Sequence, residues 1–584
     1  MQPARPPARD RSPGPAPSGD AAGGPHRSAR PPALTAQVGE LLGRGDGTGL
    51  DTSGGLLFNH TLWARDRVVT AFDLLDVEPR PARETVLALA ALQGGERHVL
   101  SEEEPGRIHN ERRDLRTWQA PLWLKTVFGL GLAPLWGGTP AGYTTYFASD
   151  STPLFVMLAA ALARREPGVL AIPVTRRDGH TVSLGDCVVA ACAWIEGHLS
   201  ADGLVEAVQS NPLALQQVWK DGPTSNFDER GRMANVLQPM AYLDVQVLAA
   251  EALARAADLG LGSPEHLRGS ARAIRDATVD RFWLPERRYF GCAIDRDRQG
   301  SPRLLRAVQS NAGWMLATSF FDDLPESLRQ TLIGGIVRML FSAELLTPAG
   351  VRGRALSDHN PRFRNYHENV WPVDTAAIAR GLRRQGLDEL AVELEARLLD
   401  TANMLGGTFE FLAVDHEGRV VDPRLTAESA ARLFGGPVAG LPSEMVPDEP
   451  MGWTATALLA IKRGRAARAR AGRAVAERLA ARPAWLTELT RDVLSSIAPV
   501  EVCATRAQLD ERYVALAPTY LDHARGLRRS AATVLVQGFG GVIPREVARR
   551  AREAARAASA RAARAAPGGA ARTRGGPPAA PGRG

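Results

Sequence analysis

The feature that most limits the fold is a recurrence of apolar stripes at helical spacing. Each stripe is roughly ten to twenty residues long and is closed off by a loop containing Gly or Pro. The stripes fall at 83–93, 152–166, 186–199, 238–259, 265–283, 326–341, 374–386, 389–405 and 452–464. Runs of alternating polar and apolar residues are scarce, so the spacing predicts an all-α body of about eleven or twelve helices. An array of helical hairpins can stack as an open solenoid or close into a ring. No repeat of 34 or 40 residues is visible, which weighs against the solenoid. In a closed double ring, the long loops gather at one end and can build a site there.

The ends of the chain read differently. Residues 1–35 and 555–584 are Pro-, Ala-, Arg- and Gly-rich and cannot bury enough apolar surface to offset the entropy of ordering, so disorder is expected. The 584 residues carry a net charge of +7, but the tails hold the excess. Residues 545–584 have ten Arg against two Glu, and residues 1–35 have five Arg against two Asp, leaving the body at about −4. Nucleic-acid binding needs its charge on the folded body, so nucleic acid is excluded as the main partner. Four cysteines, Cys187, Cys192, Cys292 and Cys503, are too few and scattered for a disulfide framework or zinc cluster. The N-terminus lacks the apolar stretch of a secretory leader, and the run 154–163 is about half a membrane span. A cytoplasmic protein with no membrane partner, metal or cofactor is expected.

Several loops combine carboxylates with aromatic residues. One holds Trp63, Arg65 and Asp66; another leads through Tyr146 to Asp150, Ser151, Thr152 and Pro153. A third, "VWKDGPTSNFD", carries Trp219, Lys220 and Asp221, and a fourth carries Tyr366, His367, Glu368, Trp371 and Asp374. Taken singly, Asp66, Asp150 and Asp374 suit helix N-caps, and Asp221 before Gly222 and Pro223 suits a turn. Together they suit a sugar site, where rings stack on pyranose faces and Asp, Arg and Asn pair with hydroxyls. A Trp beside an acid also supplies the apolar wall that keeps a carboxyl protonated. Glycoside hydrolysis needs two carboxyl groups flanking the bond. With Asp221 as one, Glu410, Glu368 and Glu444 are candidates for the other.

In their order along residues 57–463 these loops resemble the glucosidase domain of glycogen-debranching enzymes, the amylo-α-1,6-glucosidase-like (α/α)6 barrels. The segments that carry the resemblance are "LWARDRVVTAFDLL", "YFASDSTPLFVMLAAAL", "QQVWKDGPTSNFDERGRMANVLQPMAYLDVQVLAAEAL", "VQSNAGWML" and "GVRGRALSDHNPRFRNYHENVWPVDTAAIARGL". The resemblance implies an inverting hydrolase that releases glucose from an α-glucosidic linkage, such as an α-1,6 branch, in glycogen or a related oligosaccharide. Asp221 would be the general acid and Glu410 the base. Arg65 and Asp66 would hold the terminal sugar, and Trp219, Trp371 and Tyr146 would line its pocket. Trp63, Asp150, Lys220, Gln246, His367 and Asp374 complete the implied substrate-binding set.

The chain departs from that family at Asp244, where Glu is usual, at Phe409, where Pro is usual, and in the shortened "YHENVW", which inserts Glu368. Little chain precedes Trp63, so the β-rich N-terminal domain common there is expected to be absent or vestigial. Other readings are a sugar epimerase, which calls for a pair of catalytic His and finds only His109 and His367 in these loops, and a non-catalytic glycan-binding protein. The expected organisation is a barrel over 36–465, a helical extension over 466–554, and the two tails.

Overall fold

The computed structural model describes residues 36, 38–39, 52, 59–211, 217–222, 225–236, 238–297, 299–358, 366–414, 419–422 and 447–497. The expected tails, Cys503, Glu444 and most of the C-terminal extension lie outside these residues. Among the described residues, twelve principal α-helices dominate. They are α1 (Ala64–Leu74), α2 (Arg80–Ala91), α3 (Ser151–Ala163), α4 (Leu184–Glu196), α5 (Leu243–Asp258) and α6 (Pro264–Phe282), then α7 (Glu326–Leu340), α8 (Pro372–Arg384), α9 (Asp388–Leu405), α10 (Gly452–Arg470), α11 (Gly472–Ala480) and α12 (Ala484–Ser496).

Their packing closes a ring. Helix α1 lies against α3, α3 against α5, α5 against a 3-10 segment (Ser310–Ala317), that segment against α8, α8 against α10, and α10 back against α1. Outside this ring, α2, α4, α6, α7 and α9 each cover an inner element. Val38 packs with Leu74, Ala455 and Leu459 to cover the seam between α10 and α1. The fold is an (α/α)6 barrel, as the resemblance implied.

The width of each apolar face assigns each helix to its ring. Inner α3 is buried nearly all round, from Ser151 through Ala160 and again at Leu162. Outer α6 buries only Leu267, Ala271, Ile274, Thr278 and Phe282, a single stripe. The inner 3-10 segment sits tightly against α8. A Cβ on Gly313 would lie 2.6 Å from Ile378, and one on Gly381 would lie 2.7 Å from Leu316. Glycine at both positions lets the two elements touch.

Two features differ from the sequence expectations. The stripe over 238–259 becomes helical only at Leu243, because Ala241–Tyr242 pair as a short strand with Ala293 and Ile294. Second, α10 runs unbroken to Arg470, so the expected boundary at 465/466 falls inside a helix. Small sheets sit at the loop ends. The one that concerns the site has β1 (Thr61–Trp63), β2 (Glu111–Asp114) and β3 (Gly142–Thr145) in antiparallel order, with Trp63 opposite Glu111 and Glu111 opposite Thr145. None of the described helices is long and apolar enough to cross a membrane.

Candidate active site

Three of the inner helices, α1, α3 and α8, start in the loops that the sequence singled out. Trp63 immediately precedes α1, Asp150 precedes α3, and Trp371 precedes α8. The acids there are not spent as helix caps. No side-chain cap bond is made by Trp63, Asp150 or Trp371 at the three N-caps, and Asp66 and Asp374 lie inside the first turns. Instead these carboxylates face other helices. Asp150 takes Arg65 at 3.0 Å, which joins α3 to α1. Asp374 accepts a 2.5 Å hydrogen bond from Trp314 Nε1 on the inner 3-10 segment.

Asp221 sits on a loop clamped from several sides. Its neighbour Lys220, almost fully buried, donates to Ser310 Oγ at 3.1 Å and to the Gly353 carbonyl at 2.7 Å. Burial pulls the Lys220 ammonium down to about 8, against the pull of Asp374. Trp219 stacks on Trp314 with centroids 5.7 Å apart and meets Trp371 edge-on at the same separation. Trp371 in turn contacts His367, Phe411 and Trp453.

His367 locks this loop. Its Nε2 lies 3.0 Å from the Trp219 carbonyl, which can only accept, so Nε2 carries the proton. Nδ1 therefore accepts from Ser225 Oγ at 3.0 Å. Burial, helped by the Lys220 charge, holds His367 well below its usual range and keeps the ring neutral. That neutral ring stands 3.8 Å from Asp221 Oδ1, and the Asp221 side chain is 49% exposed.

The other carboxyl is held by backbone. Glu410 N donates to the Asp448 carbonyl at 2.8 Å, Met451 N to the Thr408 carbonyl at 2.8 Å, and Thr454 Oγ1 to the Phe409 carbonyl at 2.7 Å. Phe409, where Pro was the expected residue, is buried in this junction. Burial first, then the nearby Asp448, Asp66 and Asp221 charges, push Glu410 up to about 8. Burial also raises Asp66, to about 7, with Asp221 and Asp150 adding to the effect and Arg65 opposing it. Arg65 is raised although burial works the other way, because Asp150, Asp221 and Asp66 surround it. Asp221, Glu410, Asp66, Asp150 and Arg65 thus form one electrostatic unit. Burial first, and repulsion among the acids second, keep Glu410 and Asp66 from both ionising at neutral pH.

Not every expected ligand joins this unit. Gln246 clamps the backbone of Val205, accepting from its N–H at 2.7 Å and donating to its carbonyl at 2.8 Å. Tyr146 is fully buried, donates to the Leu92 carbonyl at 2.7 Å and accepts from Arg177 at 3.1 Å. Both spend their hydrogen bonds on the framework. Trp63 is half-buried, with the Arg113 guanidinium 5.9 Å from its ring. Glu368 lies 4.0 Å from Arg354. His109 is fully buried and pushed down to about 3 by burial and by Arg67, Arg112 and Arg177. Burial thus holds both His109 and His367 below the usual histidine range. Among the described residues no cluster of His, Cys, Asp and Glu could hold a metal ion.

The sequence reading missed Trp314, Trp453 and Asp448. Trp314 stands in "VQSNAGWML", Trp453 in the apolar stripe 452–464, and Asp448 four residues after the candidate Glu444. The first two place a Trp near the start of an inner element, which is the recoverable signal.

Residues 215–413 match the family of mannosylglycerate hydrolase MGH1-like glycoside hydrolase domains. The match supports a glycoside hydrolase. It runs from just before Trp219 to just past Glu410, and it does not single out the amylo-α-1,6-glucosidases. No curated protein matches the chain. Among solved structures, a GH63 mannosylglycerate hydrolase from Thermus thermophilus in complex with glucose is 13% identical with a TM-score of 0.46, over 74% of this chain and 100% of that one. A wild-type glycosidase is 13% identical with a TM-score of 0.42, over 74% and 95%.

Proposed function

We propose that the chain is an inverting glycoside hydrolase that cleaves an α-glucosidic bond, with Asp221 as general acid and Glu410 as general base. The observation that carries this reading is the single electrostatic unit linking Asp221 and Glu410 through Asp66 and Arg65. An inverting site needs one protonated and one ionised carboxyl across the bond, with room for one water. The reading requires Asp221 to carry a proton, which passes to the glycosidic oxygen as the bond breaks. Burial raises Glu410 to about 8, so its ionised form, which takes a proton from the water attacking the anomeric carbon on the opposite face, grows as pH rises toward 8. Its raised pKa makes Glu410 a stronger base than a surface glutamate. Arg65, Asp66 and Asp150 bind the hydroxyls of the departing sugar, and Trp219 and Trp371 form its apolar wall.

The sugar in this reading is a terminal glucose, released from an α-1,6 branch or a short α-glucoside. The family that matches is named for mannosylglycerate, so the substrate panel includes α-1,6- and α-1,4-linked gluco-oligosaccharides, limit dextrin and mannosylglycerate. Glucose release from an α-glucoside that is lost in Asp221→Asn, with glycan binding retained, is the expected result. An Asp221→Asn enzyme as active as the parent overturns the acid assignment. A parent that binds these glycans but cleaves none of them leaves a glycan-binding protein.

A further inference from the structure

The loop joining β2 to β3 is a lobe with its own small core and an uncovered apolar face. Leu115, Trp118 and Leu124 pack together under Ala120 and Phe128, apart from the main core. A short helix (Leu122–Thr126) continues through a π turn (Val127–Leu132) to a last turn (Ala133–Leu135). On the outside of these turns Leu122 is 79% exposed, Trp123 66%, Val127 52% and Leu130 68%. Positions 123, 127 and 130 follow helical spacing, so they share one face. The area is on the order of 500 Å², at the upper end for the largest apolar patch on a monomer.

The charges around the patch narrow down what covers it. Residues 115–141 contain no Asp or Glu, and their only cations are Arg116 and Lys125. Arg116 is already paired with Asp114 at 2.6 Å. A lipid-docking face is ringed by cations on its polar side, and a single remaining Lys on a body of about −4 does not meet that description. Depletion of charge with enrichment in Trp and Leu is instead the composition of a homodimer interface core. Mirrored on a second copy, the patch amounts to about 1,000 Å² in total, the threshold for a specific interface. A self-complementary patch closes with two-fold symmetry.

We infer that this lobe is a dimerisation surface whose partner is a second copy of the chain. Arg113 on β2 links the lobe to Trp63 at the start of α1. The Arg113 guanidinium lies 4.5 Å from the Trp118 ring, 5.1 Å from Phe128 and 5.9 Å from Trp63, which leads into α1 and Arg65. The dimer surface is therefore joined to the start of α1, although the inference does not depend on the glycosidase reading.

Sedimentation velocity over a micromolar concentration series tests it, with the full chain, a Trp123→Glu/Leu130→Glu variant and a milder Leu122→Ser/Val127→Ser variant. The expected result is a parent that shifts to dimer mass, with a blue shift of Trp fluorescence as Trp123 is buried. Both variants stay monomeric at the same concentrations and keep the parent's Tm, since the replaced side chains lie outside the core. A parent that stays monomeric throughout overturns the inference. So does dimerisation retained in both variants, or a monomeric parent that co-sediments with phosphatidylcholine vesicles.

Discussion

The two loops that carry the catalytic candidates differ in how much of their support is backbone and in how exposed their carboxyls are. The Asp221 loop is fixed by side chains that reach it from elsewhere: Lys220 bound to Ser310 Oγ and the Gly353 carbonyl, His367 on the Trp219 carbonyl, and Trp314 stacked on Trp219. The Glu410 loop is fixed by backbone bonds to 448–451, with Thr454 Oγ1 and Trp453 Nε1 in the first turn of α10 donating to the Phe409 and Glu410 carbonyls. Asp221 keeps half its surface exposed, whereas Glu410 is partly buried and raised to about 8, chiefly by that burial. The acid side can therefore be loosened by distant side-chain changes. The base side is disturbed mainly by changing the charge beside it.

Mutations sharpen this contrast. The largest effect belongs to the two carboxyls: Asp221→Asn and Glu410→Gln should each lower kcat by about 10²–10⁴-fold, the usual contribution of a general acid or base, with substrate binding retained in calorimetry. Removing the struts comes next. Lys220→Met and His367→Ala should each cost up to about 10²-fold in kcat, the scale of a small misplacement of a reacting group. The limb of the pH profile set by Glu410 should stay in place in both strut variants. If that limb moves as well, the two loops are not independently held.

Smaller effects separate electrostatics from framework. Asp448→Asn removes a charge that raises Glu410 and should move the acidic limb of kcat/KM to lower pH, by on the order of one unit. Stability should carry the same signature. Folding raises Glu410 above its ordinary 4.5, so the folded state holds a proton that the unfolded chain has released at neutral pH. Asp66, Asp244 and Glu102, each raised to about 7 chiefly by burial, act in the same direction. Their contribution is full below about pH 4 and is lost progressively as pH rises to between 7 and 8. Below pH 6.5 the buried neutral His109 and His367 act oppositely, because the unfolded chain takes up protons that they refuse. Four raised acids outweigh two histidines over this range, so Tm should be highest near about pH 4.5 to 5 and fall as pH rises to 8. The drop should shrink in Glu410→Gln. Least of all for catalysis, Gln246→Ala should leave kcat within about twofold while costing about 1–3 kcal/mol, the penalty of leaving the Val205 backbone groups unsatisfied.

Gln246 and Asp150 show what the sequence made legible. The helical stripes defined the hairpins, and the carboxylates at the starts of α1, α3 and α8 marked the functional end. Helical spacing does not reveal what a polar residue in the first turns of an inner helix faces. Asp150 turns to Arg65 across a helix pair, while Gln246 turns to the neighbouring 205 loop, and both look alike in sequence. Tyr146 raises the same ambiguity, since an aromatic residue in a rim strand can line a pocket or anchor a loop. Strands of two to four residues are too short for a period-two pattern. The inner position taken by Ser310–Ala317 was hidden because its packing depends on glycines at 313 and 381 rather than on an apolar stripe. The pairing of Glu410 with Asp448 joins residues 38 positions apart in the chain and leaves no local trace.

The central claim is that Asp221 and Glu410 act on opposite faces of one glycosidic bond with a water between them. Proton NMR of the sugar released in the first minutes of hydrolysis of an α-glucoside, before mutarotation, tests it directly. The account predicts that β-glucose appears first. Appearance of α-glucose first would contradict it.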